Sequence, residues 1–90
     1  MKILKFGAVW CNGCLVMRPR LEEIEKENPW LKTNYFDFDQ DKEMVKKFNI
    51  SSGVLPVFIF LDKNSKEILR LSGEVEKDLF LEKIAENKDK

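Results

Sequence analysis

Cys11 and Cys14 are the only cysteines in this 90-residue chain, and only Asn12 and Gly13 separate them. They follow an apolar run over residues 3–9 that predicts a buried strand, and Asn12-Gly13 is expected to open a helix. The pair would then lie in the first turn of that helix, where free backbone N–H groups and the helix dipole favour a thiolate. The spacing also places both sulfurs on one face, close enough to join. The arrangement indicates thiol–disulfide exchange.

Two other uses of a cysteine pair fit the sequence less well. A disulfide that closes so small a loop would restrict the unfolded chain by only about 2 kcal/mol, so it would be a poor structural staple. A structural zinc site usually takes four ligands, whereas this chain offers two cysteines and no histidine. We therefore expect no metal site within one chain, although a dimer that shares four thiolates stays open.

Composition narrows the class of protein. Hydrophobic residues make up 43% of the chain and no stretch is of low complexity, which predicts one globular domain over residues 1–90. Sixteen Lys and Arg balance sixteen Asp and Glu, so charge gives no reason to expect nucleic acid or an anionic membrane as a partner. No run approaches membrane-spanning length, and the start is too short and interrupted for a signal peptide. We expect a cytoplasmic monomer.

The first half of the chain predicts a strand, a helix and a second strand. Residues 14–27 predict a helix that Pro19 kinks, and its apolar stripe is expected at Leu15, Leu21 and Ile24, with Val16 and Met17 beside them. Residues 33–39 predict a strand that returns parallel to the first one through a right-handed crossover.

The second half predicts two helices and a hairpin. A short helix over residues 41–48 is expected, with Asp41 as its cap. Pro56 then precedes the most apolar run, residues 57–61, which predicts a buried strand whose hairpin partner is the segment 67–71. A last helix over residues 78–87 would place four apolar residues near the core, namely Leu79, Phe80, Ile84 and Ala85. The predicted order is β-α-β-α-β-β-α.

Four features occur in a characteristic order along the chain. Trp10 precedes the cysteine pair, Pro19 lies eight positions after Cys11, Pro56 heads the third strand and Gly73 follows the hairpin. In this order they resemble the thioredoxin family, in a short form without the usual leading strand and helix. The resemblance implies an α/β, thioredoxin-like fold with a four-stranded mixed sheet in the order 2-1-3-4 and helices on both faces. The site would lie at the C-terminal end of the central first strand.

The resemblance also implies roles for individual residues. Cys11, the more exposed cysteine in the family, would attack a substrate disulfide as the thiolate, and Cys14 would resolve the mixed disulfide. A cis bond would precede Pro56, which would lie against the sulfurs, while Leu55 would offer backbone hydrogen bonds to an extended substrate peptide. An apolar surface for protein substrates would surround the sulfurs, made by Trp10, Val54, Leu55 and Gly73.

Several positions depart from the family pattern. Lys5 replaces a buried acidic residue, and it would either extend its amine out of the sheet or lie buried behind the sulfurs. A positive charge near the sulfurs would favour thiolates and make the pair more oxidising, by about 30 mV for each pKa unit. Asn12-Gly13 replaces the usual residues between the cysteines, which also tune the potential. Gly7 occupies a position where the family usually has tryptophan.

The resemblance therefore implies a thiol–disulfide oxidoreductase that acts as a reductant of disulfide-containing protein substrates. It needs no bound cofactor, because electrons would come from a partner reductase or a low-molecular-weight thiol. Two alternatives remain. One is a glutathione-linked, glutaredoxin-like oxidoreductase, and the other is a binding module that keeps the scaffold and whose thiols are incidental.

Overall fold

A four-stranded sheet forms the centre of the protein, and a computed structural model describes all of its residues, 1–90. The strands are β1 (Lys2–Gly7), β2 (Lys32–Asp37), β3 (Val57–Leu61) and β4 (Glu67–Ser72). They lie in the order β2-β1-β3-β4. β1 pairs parallel with β2, whereas the β1–β3 and β3–β4 pairs are antiparallel. The strand order and the mixed sheet that the resemblance implied are confirmed.

Helices cover both faces of this sheet, as expected. They are α1 (Asn12–Glu27), α2 (Lys42–Lys47) and α3 (Lys77–Asn87), with a short 3₁₀ helix over Ser52–Val54. The core between the sheet and α1 with α3 contains Phe58, Phe60 and Phe80, and α2 covers a second core on the opposite face. None of the three helices combines the length and the apolar character needed to cross a membrane.

β1 carries the chain to the site. Because successive side chains of a strand point to opposite faces, Ile3 packs in the core under α1 while Leu4 and Phe6 pack in the core under α2. Gly7 is the last residue of β1 and its partner on β2 is Asp37. The strand therefore ends two residues earlier than predicted. Val9 lies beyond the sheet and is 83% exposed, because no neighbouring strand continues the pairing there.

The buried face of α1 differs from the predicted stripe. Cys14, Met17, Leu21 and Ile24 are the buried residues of this helix, whereas Leu15 is 60% exposed. Spacings of three, four and three residues keep those four on one narrow face, and Leu15 is rotated about 100° from Cys14, away from that face. The prediction of Leu15 as a core residue was wrong. Pro19 lies within α1, whose helical residues continue on both sides of it.

Two further details of the predicted helices were wrong. Asp41 precedes α2, but its carboxylate accepts a hydrogen bond from the backbone N–H of Asp37, 2.7 Å away, and caps no helical N–H. In α3 the buried apolar residues are Phe80 and Ile84, whereas Leu79 and Ala85 are exposed. The Asp41 carboxylate therefore stabilises the loop after β2 and not the start of α2. The buried face of α3 is narrower than its four apolar residues suggested.

Candidate active site

The turn from β1 into α1 fixes the two cysteines. Cys11 is the N-cap residue of α1 and has extended backbone geometry, with φ −89° and ψ 114°. The backbone N–H of Cys14 donates a hydrogen bond to the Cys11 sulfur at 3.2 Å, so a thiol here takes the place of the usual capping hydroxyl or carboxylate. A backbone N–H directed at a sulfur at a helix N-terminus is the kind of donor that stabilises a thiolate.

Both sulfurs are free and largely enclosed. Cys11 is 7% exposed and Cys14 8% exposed, so the greater exposure that the resemblance implied for Cys11 is absent. Burial raises the pKa of Cys14 to about 11, and its hydrogen bond with Cys11 adds to the rise, while the nearby Arg18 guanidinium acts in the opposite direction. Cys14 is therefore a protonated thiol at neutral pH.

The segment before β3 lies directly against the turn of the cysteines. A Cβ atom added to Gly13 would be 3.0 Å from the ring Cδ of Pro56 and 3.9 Å from the carbonyl oxygen of Leu55. The Leu55–Pro56 bond is cis, and Leu55 packs against the cluster that contains both cysteines. Gly73, at φ +80°, donates its N–H to the carbonyl of Pro56 at 2.8 Å. The structure thus brings Gly13, Leu55, Pro56 and Gly73 together beside the cysteine pair.

The other predicted residues lie on the rim of this arrangement. Asn12 is exposed as the first residue of α1, and Val54 is exposed at the end of the 3₁₀ helix, next to Leu55. Trp10 is half-exposed and packs edge-on against Phe38, with ring centroids 6.0 Å apart. Phe38 in turn packs against the cysteine cluster.

Asp39 is a rim residue that the sequence analysis missed. Its carboxylate accepts a hydrogen bond from the indole Nε1 of Trp10 at 2.7 Å. Because β1 and β2 are parallel, their C-terminal ends meet at the same edge of the sheet, and Asp39 follows β2 by two residues. The position of an acidic residue just after β2 was the signal that could have predicted this contact with Trp10.

A cavity of about 360 Å³ opens behind Cys14, between α1 and the sheet. β1 contributes Lys5 and Gly7 to its lining, β2 contributes Tyr35, and α1 contributes Arg18 beside Cys14. Neither Tyr35 nor Arg18 was predicted at the site, because Tyr35 is distant from the cysteines in sequence and Arg18 belongs to no part of the motif. Polar and charged groups therefore line one side of the buried sulfur.

The comparison with known sequences identifies the family. The sequence model described as Thioredoxin matches residues 1–77 of this chain. The chain belongs to the thioredoxin family. Thioredoxin H5 from Oryza sativa subsp. japonica is 34% identical over 77 residues, which are 86% of this chain and 55% of the rice protein. Thioredoxin from Chlamydia muridarum is 31% identical, and the match covers 94% of this chain and 80% of that protein.

Solved thioredoxin structures show the same fold. The Fasciola hepatica thioredoxin superposes with a TM-score of 0.84 at 30% identity, over 94% of this chain and 78% of that one. The thioredoxin from Trypanosoma brucei brucei superposes with a TM-score of 0.85 at 26% identity, over 99% and 75% of the two chains. The chain thus spans between about half and four fifths of the length of these thioredoxins. Together the comparisons establish the thioredoxin family and fold of this chain.

Lys5, which replaces the usual acidic residue of thioredoxins, neither extends its amine out of the sheet nor lies fully buried behind the sulfurs. Its ammonium group lies 3.3 Å from a carboxylate oxygen of Glu25 on α1, and the same carboxylate accepts a hydrogen bond from the Thr33 hydroxyl. The side chain of Lys5 is partly buried within the cavity lining. A carboxylate from α1 thus neutralises the cation that replaces the usual acidic residue, which weakens its expected influence on the sulfurs.

Gly7, which replaces the tryptophan usual in thioredoxins, is closely surrounded. A Cβ atom there would lie 3.0 Å from the Cys14 sulfur and 3.1 Å from the Tyr35 hydroxyl. We expect Gly7→Ala to lower the free energy of unfolding of the reduced protein by about 1–3 kcal/mol, because the methyl group would enter the small space between the Cys14 sulfur and the Tyr35 ring at less than van der Waals distance from both. The midpoint of urea unfolding, at unchanged slope, measures this loss.

Gly53 provides the matched control for the Gly7 substitution. A Cβ atom on Gly53 has no heavy atom within 4 Å. We therefore expect Gly53→Ala to change the free energy of unfolding by no more than about 0.5 kcal/mol. Equal midpoints for the two variants would contradict the close packing around Gly7.

Proposed function

We propose that this chain is a thiol–disulfide oxidoreductase that reduces disulfides in protein substrates, with Cys11 as the nucleophile and Cys14 as the resolving cysteine. The observation that carries the proposal is the hydrogen bond from the Cys14 N–H to the Cys11 sulfur at the N-terminus of α1, at 3.2 Å. It gives Cys11 the anion-stabilising position, while Cys14 is held as a thiol by its raised pKa. The two cysteines are thereby differentiated for the two successive steps.

The reaction consists of two exchanges. The Cys11 thiolate attacks one sulfur of the substrate disulfide, a mixed disulfide forms, and the other substrate sulfur leaves as a thiolate. Cys14 then loses its proton to solvent and attacks the Cys11 sulfur. The Cys11–Cys14 bond forms, the bond from Cys11 to the substrate breaks, and the second substrate sulfur also leaves as a thiolate. Two electrons pass from the protein dithiol to the substrate disulfide.

Leu55 is positioned to hold an extended substrate. Neither its N–H nor its carbonyl takes part in a hydrogen bond within the chain, although it packs beside the cysteine cluster. A free N–H and carbonyl on extended backbone, at φ −66° and ψ 146°, can pair with a substrate strand. Trp10 and Val54 would add exposed apolar surface for the side chains of that strand, and Gly73 would leave room for its backbone.

The proposal extends to partners and location. The exchange itself requires only sulfur chemistry, so no bound cofactor is needed and the electrons would come from a reductase or a low-molecular-weight thiol. A cytoplasmic location fits this direction of electron flow, because cellular thiols there keep such pairs reduced.

The reduction potential of the Cys11/Cys14 pair tests the proposal. The protein is equilibrated in buffers of defined thiol–disulfide ratio, and thiol alkylation or Trp10 fluorescence reports the reduced fraction. A value near about −270 mV, the range of thioredoxin, supports the reductant. A value above about −200 mV, with turnover by glutathione and not by a thioredoxin reductase, favours the glutathione-linked alternative. If no intramolecular disulfide forms, the proposed function is wrong.

A further inference from the structure

Tyr35 lies over Gly7 and reaches the neighbourhood of the buried sulfur. In the parallel β1–β2 pair, Tyr35 is opposite Lys5 and therefore two residues before the partner of Gly7. A Cβ atom on Gly7 would lie 3.1 Å from the Tyr35 hydroxyl, 3.2 Å from its ring and 3.0 Å from the Cys14 sulfur. The hydroxyl and the sulfur thus both lie about 3 Å from one point, and the absence of a side chain on Gly7 leaves that point free.

The resolving step requires that the buried Cys14 thiol lose its proton. Cys14 must become a thiolate before it can attack, but burial of its sulfur raises its pKa to about 11. Only a small fraction of the thiol is therefore ionised at neutral pH. A group that donates a hydrogen bond to the Cys14 thiolate as it forms would increase that fraction and accelerate the step.

Few charged or titratable groups face Cys14 from the surrounding elements. The N-cap of α1 provides Cys11, whose sulfur accepts from the Cys14 N–H, and α1 itself provides Arg18 and Glu22 in the cavity lining. β1 provides Lys5, and β2 provides Tyr35. The residues that β3 places in the lining, Pro56 and Phe58, carry no charge.

These groups differ in what they can supply. Glu25 already holds the Lys5 ammonium at 3.3 Å, and Cys11 is engaged in the mixed disulfide when Cys14 reacts. Arg18 is one helical turn after Cys14 and contributes a general attraction for negative charge. Burial, followed by the negative charge of Asp37, raises the pKa of Tyr35, so its hydroxyl keeps its proton and acts as a donor.

We propose that the Tyr35 hydroxyl donates a hydrogen bond to the Cys14 thiolate during the resolving step, in the space that Gly7 leaves open. The hydroxyl makes no hydrogen bond within the reduced protein, and the residue is 51% exposed, so no existing partner has to be displaced before the hydroxyl donates to the sulfur. The proton of Cys14 passes to solvent water, and Tyr35 retains its own. This inference rests on the proposed function, because it assigns a donor to the second of its two exchanges.

The substitution Tyr35→Phe tests the proposal while keeping the ring over Gly7. One equivalent of 5,5′-dithiobis(2-nitrobenzoate) reacts with the reduced protein in a stopped-flow instrument, and the released thionitrobenzoate is followed by its absorbance. The first release reports attack by Cys11, and the second reports resolution by Cys14. We expect Tyr35→Phe to leave the first phase unchanged, to slow the second about tenfold between pH 6 and 8, and to raise its apparent pKa by about one unit.

Trp30→Phe is the matched control, since Trp30 is an exposed aromatic residue at the opposite end of the sheet, just before β2. Both of its phases should match those of the parent. A second phase of Tyr35→Phe that equals the parent's at every pH would overturn the role of Tyr35. Equal slowing of both phases, with a lower free energy of unfolding, would also overturn it, because the ring would then act through structure. A parent protein that shows a single release would instead contradict the proposed function.

Discussion

Replacing Cys11 with serine is expected to abolish disulfide reduction, whereas replacing Cys14 with serine is expected to halt the reaction at a covalent complex. A serine hydroxyl is almost wholly protonated at neutral pH, so the loss of the Cys11 thiolate should cost roughly a thousandfold or more in rate. In Cys14→Ser the first attack is retained, but no thiol remains to release the substrate. Mass spectrometry of the Cys14→Ser protein incubated with a disulfide-containing protein should therefore detect the mixed disulfide.

The double variant, with serine at both positions, distinguishes exchange from simple binding. It keeps the exposed apolar rim around Trp10 and Val54 but cannot form a covalent bond to a partner. If it captures the same proteins as Cys14→Ser, and does so equally well in the presence of a reducing agent, the chain is a binding module with incidental thiols. Capture by Cys14→Ser alone, reversed by reducing agent, would support the assignment of Cys11 as the nucleophile.

The sequence contained enough information to predict the order of the elements and the strand order of the sheet. Continuous apolar runs identify β1 and β3, and the ordered set of Trp10, Pro19, Pro56 and Gly73 selects one family among α/β folds. Because a family resemblance carries its topology with it, it also predicted that Pro56 would lie close to the cysteine turn, which is 42 or more residues away along the chain. Periodicity alone would not have supplied that contact.

Side-chain partnerships at the site could not be predicted in this way. Lys5 and Glu25 are 20 residues apart, and their ion pair depends on how α1 crosses the sheet. The approach of Tyr35 to Cys14 depends on the register of β2 against β1 and on the missing side chain at Gly7. A family motif predicts only the residues that its members share. The contacts described here involve Lys5 and Gly7, at which this chain departs from the family pattern.

The faces of the helices were a separate source of error. Leu15 and Leu79 were assigned to the core because they are apolar, yet both are exposed and lie beside residues that are buried. A helix of this size buries a narrow stripe, so a shift of one position rotates a side chain by about 100° and out of the core. Phe80, directly after Leu79, is fully buried. Substitutions of Leu79 and Phe80 therefore allow the stability contributions of the exposed and the buried face of α3 to be compared.

Phe80→Ala is expected to reduce the free energy of unfolding by about 3–5 kcal/mol, which is a large part of the stability of a domain of this size. The ring is 0% exposed and packs against Phe58 and Phe60, with centroid distances of 5.2 Å and 5.6 Å, so its removal leaves a cavity between α3 and β3. The midpoint of urea unfolding measures the loss, with the slope as a check on two-state behaviour.

Leu79→Ala is the control for the Phe80 substitution, because it removes an apolar side chain from the adjacent position on the exposed face of α3. Leu79 is 42% exposed, so we expect a loss of no more than about 1 kcal/mol. Similar losses for the two variants would contradict the orientation of α3 on the sheet. Phe58, which contacts Phe80, also lines the cavity behind Cys14, so Phe80→Ala should in addition make the Cys14 thiol more accessible to alkylation, whereas Leu79→Ala should not.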